Sequence, residues 1–336
     1  MKLLAFEIDS SEKVYLKEHL PVDLEQEYYE DTLSIEALED RQATTHLVVF
    51  VYSRVTAEVL DKLPNLNAIF TMSTGYDHID MEACRARGIT VHSVPFYGEN
   101  TVAEHTFALI LALSRQLIES VERTKTFDFN PAGLEGFDLR GKTLGIIGMG
   151  RIGSFVARIA KGFDMKILAY DAFVKDELAR EIGFEYVSLE DLLTKSDIVS
   201  LHTAYRPETH HIINQKSIKL MKKGSYLINT ARGGLIETSA LIIALEEGIL
   251  AGAGLDVLEE ECFIKEEKEL LSQAFLKTCD LQTVVQDHLL IQDKRVIVTP
   301  HNAFNSREAI LRILETTVDN IQAQIKGEML NLVKKG

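Results

Sequence analysis

KTLGIIGMGRIG, residues Lys142–Gly153, is the stretch that decides the fold, because an apolar strand in it runs into a glycine-rich turn and then a helix. The turn has the spacing G-x-G-x-x-G, with Gly148, Gly150 and Gly153. In a dinucleotide-binding unit the first glycine permits the tight turn, the second lets the backbone approach a pyrophosphate, and the third lets the helix pack on the strand. Arg151 adds a cation at the helix start, where the N–H groups and the helix dipole also favour phosphate.

The next strand, in KILAYDA, supports a dinucleotide site and indicates which dinucleotide. It ends at Asp171, 18 positions after Gly153. A carboxylate at this position accepts both ribose hydroxyls of NAD and repels the 2′-phosphate of NADP. The alternative is a purely structural turn in which Asp171 caps a helix. The strand–turn–helix–strand context favours the NAD site.

Short apolar runs alternate with amphipathic helical stretches on both sides of this turn, which indicates an α/β, doubly wound fold. Many runs are apolar on both faces, as expected for parallel strands covered by helices. The predicted strands are Lys2–Ile8, His46–Tyr52, Asn67–Met72, Thr90–Val94, Lys142–Ile147, Lys166–Tyr170, Ile198–His202, Ser225–Asn229, Ala253–Val257 and Val296–Thr299.

The glycine-rich turn comes late in the chain, after some 100 residues with their own βα pattern. One long helix, Asn100–Thr126, is predicted to lead from the first domain into the second. A last helix, Ser306–Lys326, docks most simply on the first domain, which would make the nucleotide domain an insertion. The charged region Glu259–Lys294 is either a helical, lid-like excursion or a plain surface insertion.

Composition excludes several classes of function. Lys and Arg total 36 against 51 Asp and Glu, a formal net charge of −15, so neither nucleic acid nor a membrane is an expected partner. The start, MKLLAFEIDS, is not expected to be a secretory signal. No metal is expected. The cysteines form no C-x-x-C pair and suggest a reducing, cytoplasmic setting; they are Cys84, Cys262 and Cys279.

Arg232, His301 and an acidic run follow three later strands, and ligands bind outside the carboxyl ends of strands in such sheets. A near-neutral histidine is the natural acid for reduction of a 2-keto acid, and an arginine forks onto its carboxylate and carbonyl oxygen. A carboxylate beside the histidine would hold its tautomer and favour its protonated form. Taken singly, each residue has an ordinary alternative, namely a surface ion pair, a cap or a solvated run. The acidic run follows Asp256 and comprises Glu259, Glu260 and Glu261.

From about Leu66 to Ile310 the chain resembles the D-isomer-specific 2-hydroxyacid dehydrogenase family. The stretches that carry the resemblance are STGYDHIDMEACRARGI, VPFYGENTVAEHTFALILAL, GKTLGIIGMGRIG, INTARGGLIETSAL, AGAGLDVLEEE and TPHNAF. The acidic stretch after LDV and the motif TPHNAF are most similar to the D-lactate dehydrogenase branch. The family often has Val-Pro where this chain has Thr203-Ala204.

The resemblance implies two Rossmann- or flavodoxin-like domains, an NAD-binding domain at 101–300 inserted into a substrate domain at 1–100 and 301–336. It implies that Arg232 binds substrate, that His301 is the acid/base and that Glu261 pairs with it. Substrate contacts would fall on the Ser73–Gly75 loop, chiefly Thr74 and Gly75, and on Tyr97 and Tyr52. Cofactor contacts would fall on Val102 (or Thr101), Gly148, Gly150, Arg151, Ile152, Gly153, Asp171, Thr203, Ala204, Thr209, Thr230, Ala231 and Asp256.

The function expected from this resemblance is NADH-linked reduction of a small 2-keto acid, with pyruvate and D-lactate as the pair, in a homodimer formed through the NAD domain. One alternative is a different 2-keto acid, such as hydroxypyruvate, glyoxylate or the precursor of hydroxyisocaproate. A second is an NAD-sensing, corepressor-like protein. His105, His202 and the pair His210–His211 are not expected to be catalytic or metal-binding.

Overall fold

The computed structural model describes residues 1–259 and 281–333, and the chain divides into two compact units. One unit comprises Met1–Tyr97 and Ser306–Gly336, and the other comprises Gly98–Asn305. Each contains one sheet whose strand pairs are all parallel. The predicted fold class, two doubly wound parallel-sheet domains with one inserted into the other, is confirmed.

The strands in the described part of the chain are β1 (Lys2–Ala5), β2 (Glu25–Tyr28), β3 (His46–Val49), β4 (Ala68–Thr71), β5 (Thr90–His92), β6 (Thr143–Ile147), β7 (Lys166–Tyr170), β8 (Glu185–Tyr186), β9 (Ile198–Leu201), β10 (Ser225–Asn229), β11 (Leu250–Leu255) and β12 (Val296–Val298).

The helices there are α1 (Ser10–His19), α2 (Ala57–Lys62), α3 (Met81–Ala86), α4 (Glu99–Ser114), α5 (Leu117–Lys125), α6 (Arg151–Gly162), α7 (Asp176–Ile182), α8 (Leu189–Lys195), α9 (Thr238–Glu246), α10 (Leu281–Gln292) and α11 (Arg307–Ile325).

The first unit has the strand order β2-β1-β3-β4-β5, and the second has β12-β11-β10-β9-β6-β7-β8. In the second sheet, strand numbers increase outward in both directions from the neighbouring strands β6 and β9. This is the switch point at which such sheets bind dinucleotides. Every residue of β3, β4 and β9 is buried, which explains their largely apolar sequences. The predicted glycine-rich turn therefore lies at the switch point of the larger sheet.

Two strands escaped the sequence prediction, β2 and β8, and both lie at sheet edges. Their residues are exposed or partly exposed, so they lack the apolar run that marks the central strands. The strand predicted at Ala253–Val257 starts earlier, at Leu250, and ends at Leu255. Several other predicted strands end a few residues before the predicted limit because the chain turns into the loops that carry the site.

The single helix predicted over Asn100–Thr126 is wrong, because the chain breaks between α4 and α5. Gln116 adopts a left-handed conformation with φ of 51°. The carbonyl of Ser114 accepts a hydrogen bond of 2.9 Å from the N–H of Phe137. A Cβ on Gly136 would lie 2.1 Å from that carbonyl oxygen, so the neighbouring chain is packed directly against the helix end. The break is thus set by a distant segment that helical periodicity does not register.

Candidate active site

The glycine-rich turn joins β6 to α6 at the carboxyl edge of the second sheet. Gly148 has φ of 98°, and a Cβ there would lie 2.5 Å from the backbone nitrogen of Thr203. A Cβ on Gly153 would lie 2.2 Å from the carbonyl oxygen of Gly148, so the helix begins in contact with its own turn. Both positions require glycine, as the sequence pattern predicts.

The N-terminus of α6 is open. Gly150 is the N-cap, no side chain caps the helix, and no atom comes within 4 Å of where a Cβ would be. The first turn contains no acidic residue and begins with the exposed Arg151, whose Nη1 lies 3.8 Å from Glu99 Oε1. Uncapped N–H groups at a helix start bind anions, so this end fits the pyrophosphate of a dinucleotide.

Asp171 follows β7 directly and braces the same turn. Its Oδ2 accepts the N–H of Met149 at 2.6 Å, and its Oδ1 accepts the N–H of Phe173 at 2.8 Å. It does not cap α7, whose N-cap is Lys175. A carboxylate has about four lone-pair sites, so Asp171 can also accept hydroxyl groups.

The remaining predicted cofactor residues lie around this edge. Val102 is buried on α4, and Thr230 Oγ1 lies 3.0 Å from Thr106 Oγ1 of the same helix. Ala231 donates its N–H to the Asn229 side chain at 3.0 Å. In the loop after β9, which contains Thr203, the Thr209 hydroxyl donates to the Ala204 carbonyl at 2.8 Å and so closes the loop on itself.

Arg232 lies in the turn after β10. The side-chain amide of Asn229, the last residue of β10, donates to the Arg232 carbonyl at 2.9 Å. The Arg232 guanidinium donates through Nη1 to the Ala231 carbonyl at 2.8 Å. The turn is therefore tied to the end of its strand and presents a guanidinium at the carboxyl edge of the sheet.

Asp256 is a buried carboxylate that organises the turn carrying His301. Its Oδ1 accepts the Thr299 hydroxyl at 2.5 Å and the Asn302 N–H at 3.0 Å, and its Oδ2 accepts the Ala303 N–H at 2.8 Å. The His301 N–H donates to the Asp256 carbonyl at 2.9 Å. Sequence reasoning assigned Asp256 to the cofactor and did not find this role, which depends on contacts more than 40 positions apart.

His301 itself has φ of 51°, a left-handed conformation that few residues other than glycine adopt. Strained backbone of this kind persists where the surroundings determine it, and it concentrates at functional sites. His105 lies behind this turn, with Nε2 3.1 Å from Thr299 Oγ1 and 3.5 Å from Asp256 Oδ1. It contributes to the support of the His301 turn.

The acidic run after β11 is described only as far as Glu259. Its Oε1 is hydrogen-bonded to His211 Nε2, and its Oε2 accepts the N–H and the hydroxyl of Thr238. Both oxygens of Glu259 are therefore engaged away from His301, which argues against this member of the run as the partner of His301. The predicted partner Glu261, and Glu260, lie outside the described residues.

In the first unit the predicted substrate residues follow three adjacent strands. Thr74 and Gly75 follow β4, Tyr52 follows β3, and Tyr97 follows β5. The Thr74 hydroxyl donates to the Val94 carbonyl at 2.8 Å. Within the described residues, the backbone N–H groups of Thr74 and Gly75 have no acceptor, so they are available to an anion.

Glu7 is a residue of this edge that sequence reasoning missed. Its carboxylate accepts the backbone N–H groups of Phe50 (3.1 Å), Tyr52 (3.1 Å) and Ser53 (3.0 Å). It follows β1, which pairs with β3, and has φ of 60°. Glu7 thus fixes the loop that presents Tyr52. No local pattern marks such a bond, which joins residues 43 to 46 positions apart.

The other histidines considered from sequence have structural partners. His202 Nε2 lies 2.8 Å from Ser200 Oγ, and burial lowers the pKa of His202 to about 3. The rings of His210 and His211 stack with centroids 3.7 Å apart. Among residues 1–259 and 281–333, no group of histidine, cysteine and carboxylate side chains is arranged to hold a metal ion. Within the same residues, no helix is both long enough and apolar enough to cross a membrane.

Known proteins are similar to this chain in sequence and in fold. Residues 107–303 match the family model described as D-isomer specific 2-hydroxyacid dehydrogenase, NAD binding domain. The chain is 40% identical over 306 residues to a glyoxylate reductase of Thermococcus litoralis, covering 89% of this chain and 86% of that protein. A D-lactate dehydrogenase from Aquifex aeolicus, solved with NAD and lactic acid, is 38% identical with a TM-score of 0.86, covering 97% of this chain and 96% of that one. The pyruvate reductase of Chlamydomonas reinhardtii is 34% identical with a TM-score of 0.87, covering 98% of both chains.

Proposed function

The chain belongs to the D-isomer specific 2-hydroxyacid dehydrogenase family, and on that premise we propose that it reduces pyruvate to D-lactate. It is an NAD-dependent D-2-hydroxyacid dehydrogenase, and the proposal concerns the small 2-keto acid that it uses. The observation that carries the chemistry is the pair of anchored turns in the second unit. One presents Arg232 after β10, and the other presents His301 from a turn bound to the buried Asp256.

NAD fits the second unit because the N-terminus of α6 is uncapped and Gly150 leaves open space beside it. The α6 N–H groups and Arg151 would hold the pyrophosphate, and Asp171 would accept the adenosine ribose hydroxyls. When bound, the nicotinamide exchanges a hydride with the carbonyl carbon of the substrate. The chain itself must bind the acid, polarise its carbonyl and move one proton.

His301 is the proposed proton donor to the carbonyl oxygen, and the acceptor from the hydroxyl group in the reverse direction. Arg232 would fork onto the substrate carboxylate and the carbonyl oxygen, where its charge stabilises the developing alkoxide. The carboxylate of Glu261 is the proposed partner that keeps His301 protonated before reduction. The available N–H groups of Thr74 and Gly75 support binding of the substrate carboxylate in the first unit.

Pyruvate and glyoxylate differ by one methyl group, so aromatic residues that contact this methyl group would distinguish the two acids. The backbone N–H of Tyr52 is held by Glu7 and the residue is exposed, and Tyr97 lies beyond β5. An apolar contact for the methyl group favours pyruvate by about 10-fold or more. Glyoxylate is the second candidate, because the chain is about 40% identical to glyoxylate reductases.

The test is a set of NADH oxidation rates with pyruvate, glyoxylate, 2-ketobutyrate, 2-ketoisocaproate and hydroxypyruvate, with the chirality of the product determined. Pyruvate is expected to have the highest kcat/KM and to give D-lactate. Tyr52→Ala should reduce kcat/KM for pyruvate more than for glyoxylate, whereas Tyr52→Phe should leave the ratio nearly unchanged. A glyoxylate preference that Tyr52→Ala does not alter would overturn the proposed substrate. Absence of turnover with every acid would favour an NAD sensor.

A homodimer through the second unit is part of this proposal. None of the nine residues of α5 is buried, and its apolar side chains Leu117, Ile118 and Val121 are exposed. Phe127 and Phe129, just beyond the helix, are 87% and 75% exposed. Exposed apolar clusters of this kind mark protein interfaces.

The test of this interface is the mass in solution measured by light scattering. The chain itself should have a dimer mass, and so should Val14→Glu, which changes an exposed position in the first unit. Ile118→Glu should have a monomer mass, and a dimer of this variant would contradict the interface.

A further inference from the structure

The turn Arg232–Gly234 is enclosed by the loops after β9 and β11. A Cβ on Gly233 would lie 1.9 Å from the carbonyl oxygen of Leu258, and a Cβ on Gly234 would lie 2.7 Å from the ring of Tyr205. The backbone of the turn is therefore in direct contact with both loops. This contact explains why two glycines follow the arginine.

The loop after β9 is also hydrogen-bonded to this turn. The His211 N–H donates to the Gly234 carbonyl at 2.9 Å, and the Ile213 N–H donates to the Leu235 carbonyl at 3.1 Å. The Glu237 N–H donates back to the Ile213 carbonyl at 2.8 Å. Residues 211–213 thus run beside residues 234–237 as a short parallel pair. A shift of His211 would be transmitted to the arginine turn.

One carboxylate joins the two enclosing loops. Glu259 Oε1 is hydrogen-bonded to His211 Nε2, and Glu259 Oε2 accepts the N–H and the hydroxyl of Thr238, the latter at 2.8 Å. Thr238 begins α9, so the same carboxylate also fixes the far end of the segment that starts at Arg232. The two side chains are only 27% and 18% exposed, which strengthens their interaction relative to one in water.

We propose that His211 and Glu259 are positioning residues that aim Arg232 at the substrate. This inference rests on the proposed function, in which Arg232 binds the 2-keto acid. Bidentate recognition of a carboxylate requires the planar guanidinium in one orientation, so small displacements of its backbone are costly. The pair holds the backbone of the Arg232 turn from both sides. None of its contacts described above involves the glycine-rich turn at Gly148–Gly153.

The test variant is His211→Asn. His211 has φ of 49°, and asparagine is one of the few residues that tolerate this conformation, so the backbone bond to Gly234 is kept. The asparagine side chain is too short to reach Glu259. We expect kcat/KM for the keto acid to fall about 10- to 100-fold, as expected for misplacement of a positioning group. The inhibition constant of oxamate, a dead-end carboxylate analogue, should rise in parallel, and the Kd for NADH should stay within about twofold.

Two controls isolate the pair. His288→Asn changes a histidine of α10 whose Nδ1 is hydrogen-bonded to the Val284 carbonyl of the same helix, and it should leave all three constants unchanged. Glu259→Gln should reproduce the effect of His211→Asn, and the double variant should be no worse than either single variant, because the pair acts as a unit. Multiplying effects in the double variant would overturn the proposal.

The decisive comparison is His211→Asn in an Arg232→Gln background. If His211 acts through Arg232, it has no further effect on kcat/KM or on oxamate binding once the guanidinium is gone. A further loss of tenfold, or a shifted pH profile of kcat/KM in His211→Asn alone, would overturn the proposal, because the pair would then act on the acid/base group. Normal activity of Arg232→Gln by itself would instead contradict the proposed function.

Discussion

His301 combines a strained backbone with the side chain proposed as the proton donor. Its φ of 51° is maintained by the buried Asp256, which binds the residues on both sides of it. We predict that His301→Ala lowers turnover about 10²- to 10⁴-fold, the usual contribution of a general acid, with the Kd for NADH unchanged. His301→Asn, which suits the left-handed backbone, should be equally slow because it cannot donate the proton. Restored turnover in the asparagine variant would mean that only the backbone conformation matters.

Asp171 braces the glycine-rich turn and is proposed to select NAD over NADP, and substitution by asparagine separates these two roles. Asp171→Asn keeps one acceptor for the turn but removes the charge that opposes a 2′-phosphate. We predict that the ratio of kcat/KM for NADPH to that for NADH rises by at least about tenfold, because juxtaposed like charges cost several kcal/mol. Asp176→Asn, an exposed carboxylate at the start of α7, is the matched control. An unchanged ratio in Asp171→Asn would count against the ribose contact.

At the scale of elements, the break between α4 and α5 depends on one residue in an unfavourable conformation. Gln116 has φ of 51°, which glycine adopts without steric cost. We predict that Gln116→Gly raises the free energy of unfolding by about 0.5–1 kcal/mol, measured by urea denaturation. Arg115→Gly, at the neighbouring position with φ of −112°, should lower it. Destabilisation by Gln116→Gly would show that the glutamine side chain, and not its backbone, holds the break.

At the scale of the whole molecule, buried histidines make stability depend on pH. In the first unit His46 and His92 flank Phe70, and burial lowers the pKa of both; in the second unit burial lowers the pKa of His202 to about 3. Each folded pKa lies below the unfolded value of 6.5, so the unfolded chain binds more protons in acid. Stability is therefore greatest above pH 6.5 and falls as the pH drops below it, for His202 down to about pH 3.

We predict that the urea midpoint decreases from pH 7.5 to pH 5, a window above that in which most carboxylates titrate. His92→Asn, which can still donate to the Leu330 carbonyl, should reduce this dependence. His19→Asn should not, because His19 is exposed on α1. A midpoint that is flat over this range would contradict the link between burial and stability.

Sequence by itself determined the features that are encoded locally. Runs that are apolar on both faces indicated parallel strands, and the spacing of three glycines indicated the nucleotide turn. The position of Asp171 at a strand end indicated a contact with the ribose of NAD. These signals are strong because buried strands and tight turns restrict the residues at each position directly. The motifs around Arg232 and His301 indicated the chemistry before any contact was known.

Only the tertiary structure decided how those groups are held. Glu7, His211 and Glu259 act through partners 21 to 48 positions away, and Asp256 proves to support the His301 turn. The edge strands β2 and β8 exist because a neighbour pairs with them, and α4 ends because Gly136 and Phe137 pack against its last carbonyl. A hydrogen bond between distant residues leaves no periodic trace in either segment, so the support of the site became visible only when the chain was folded.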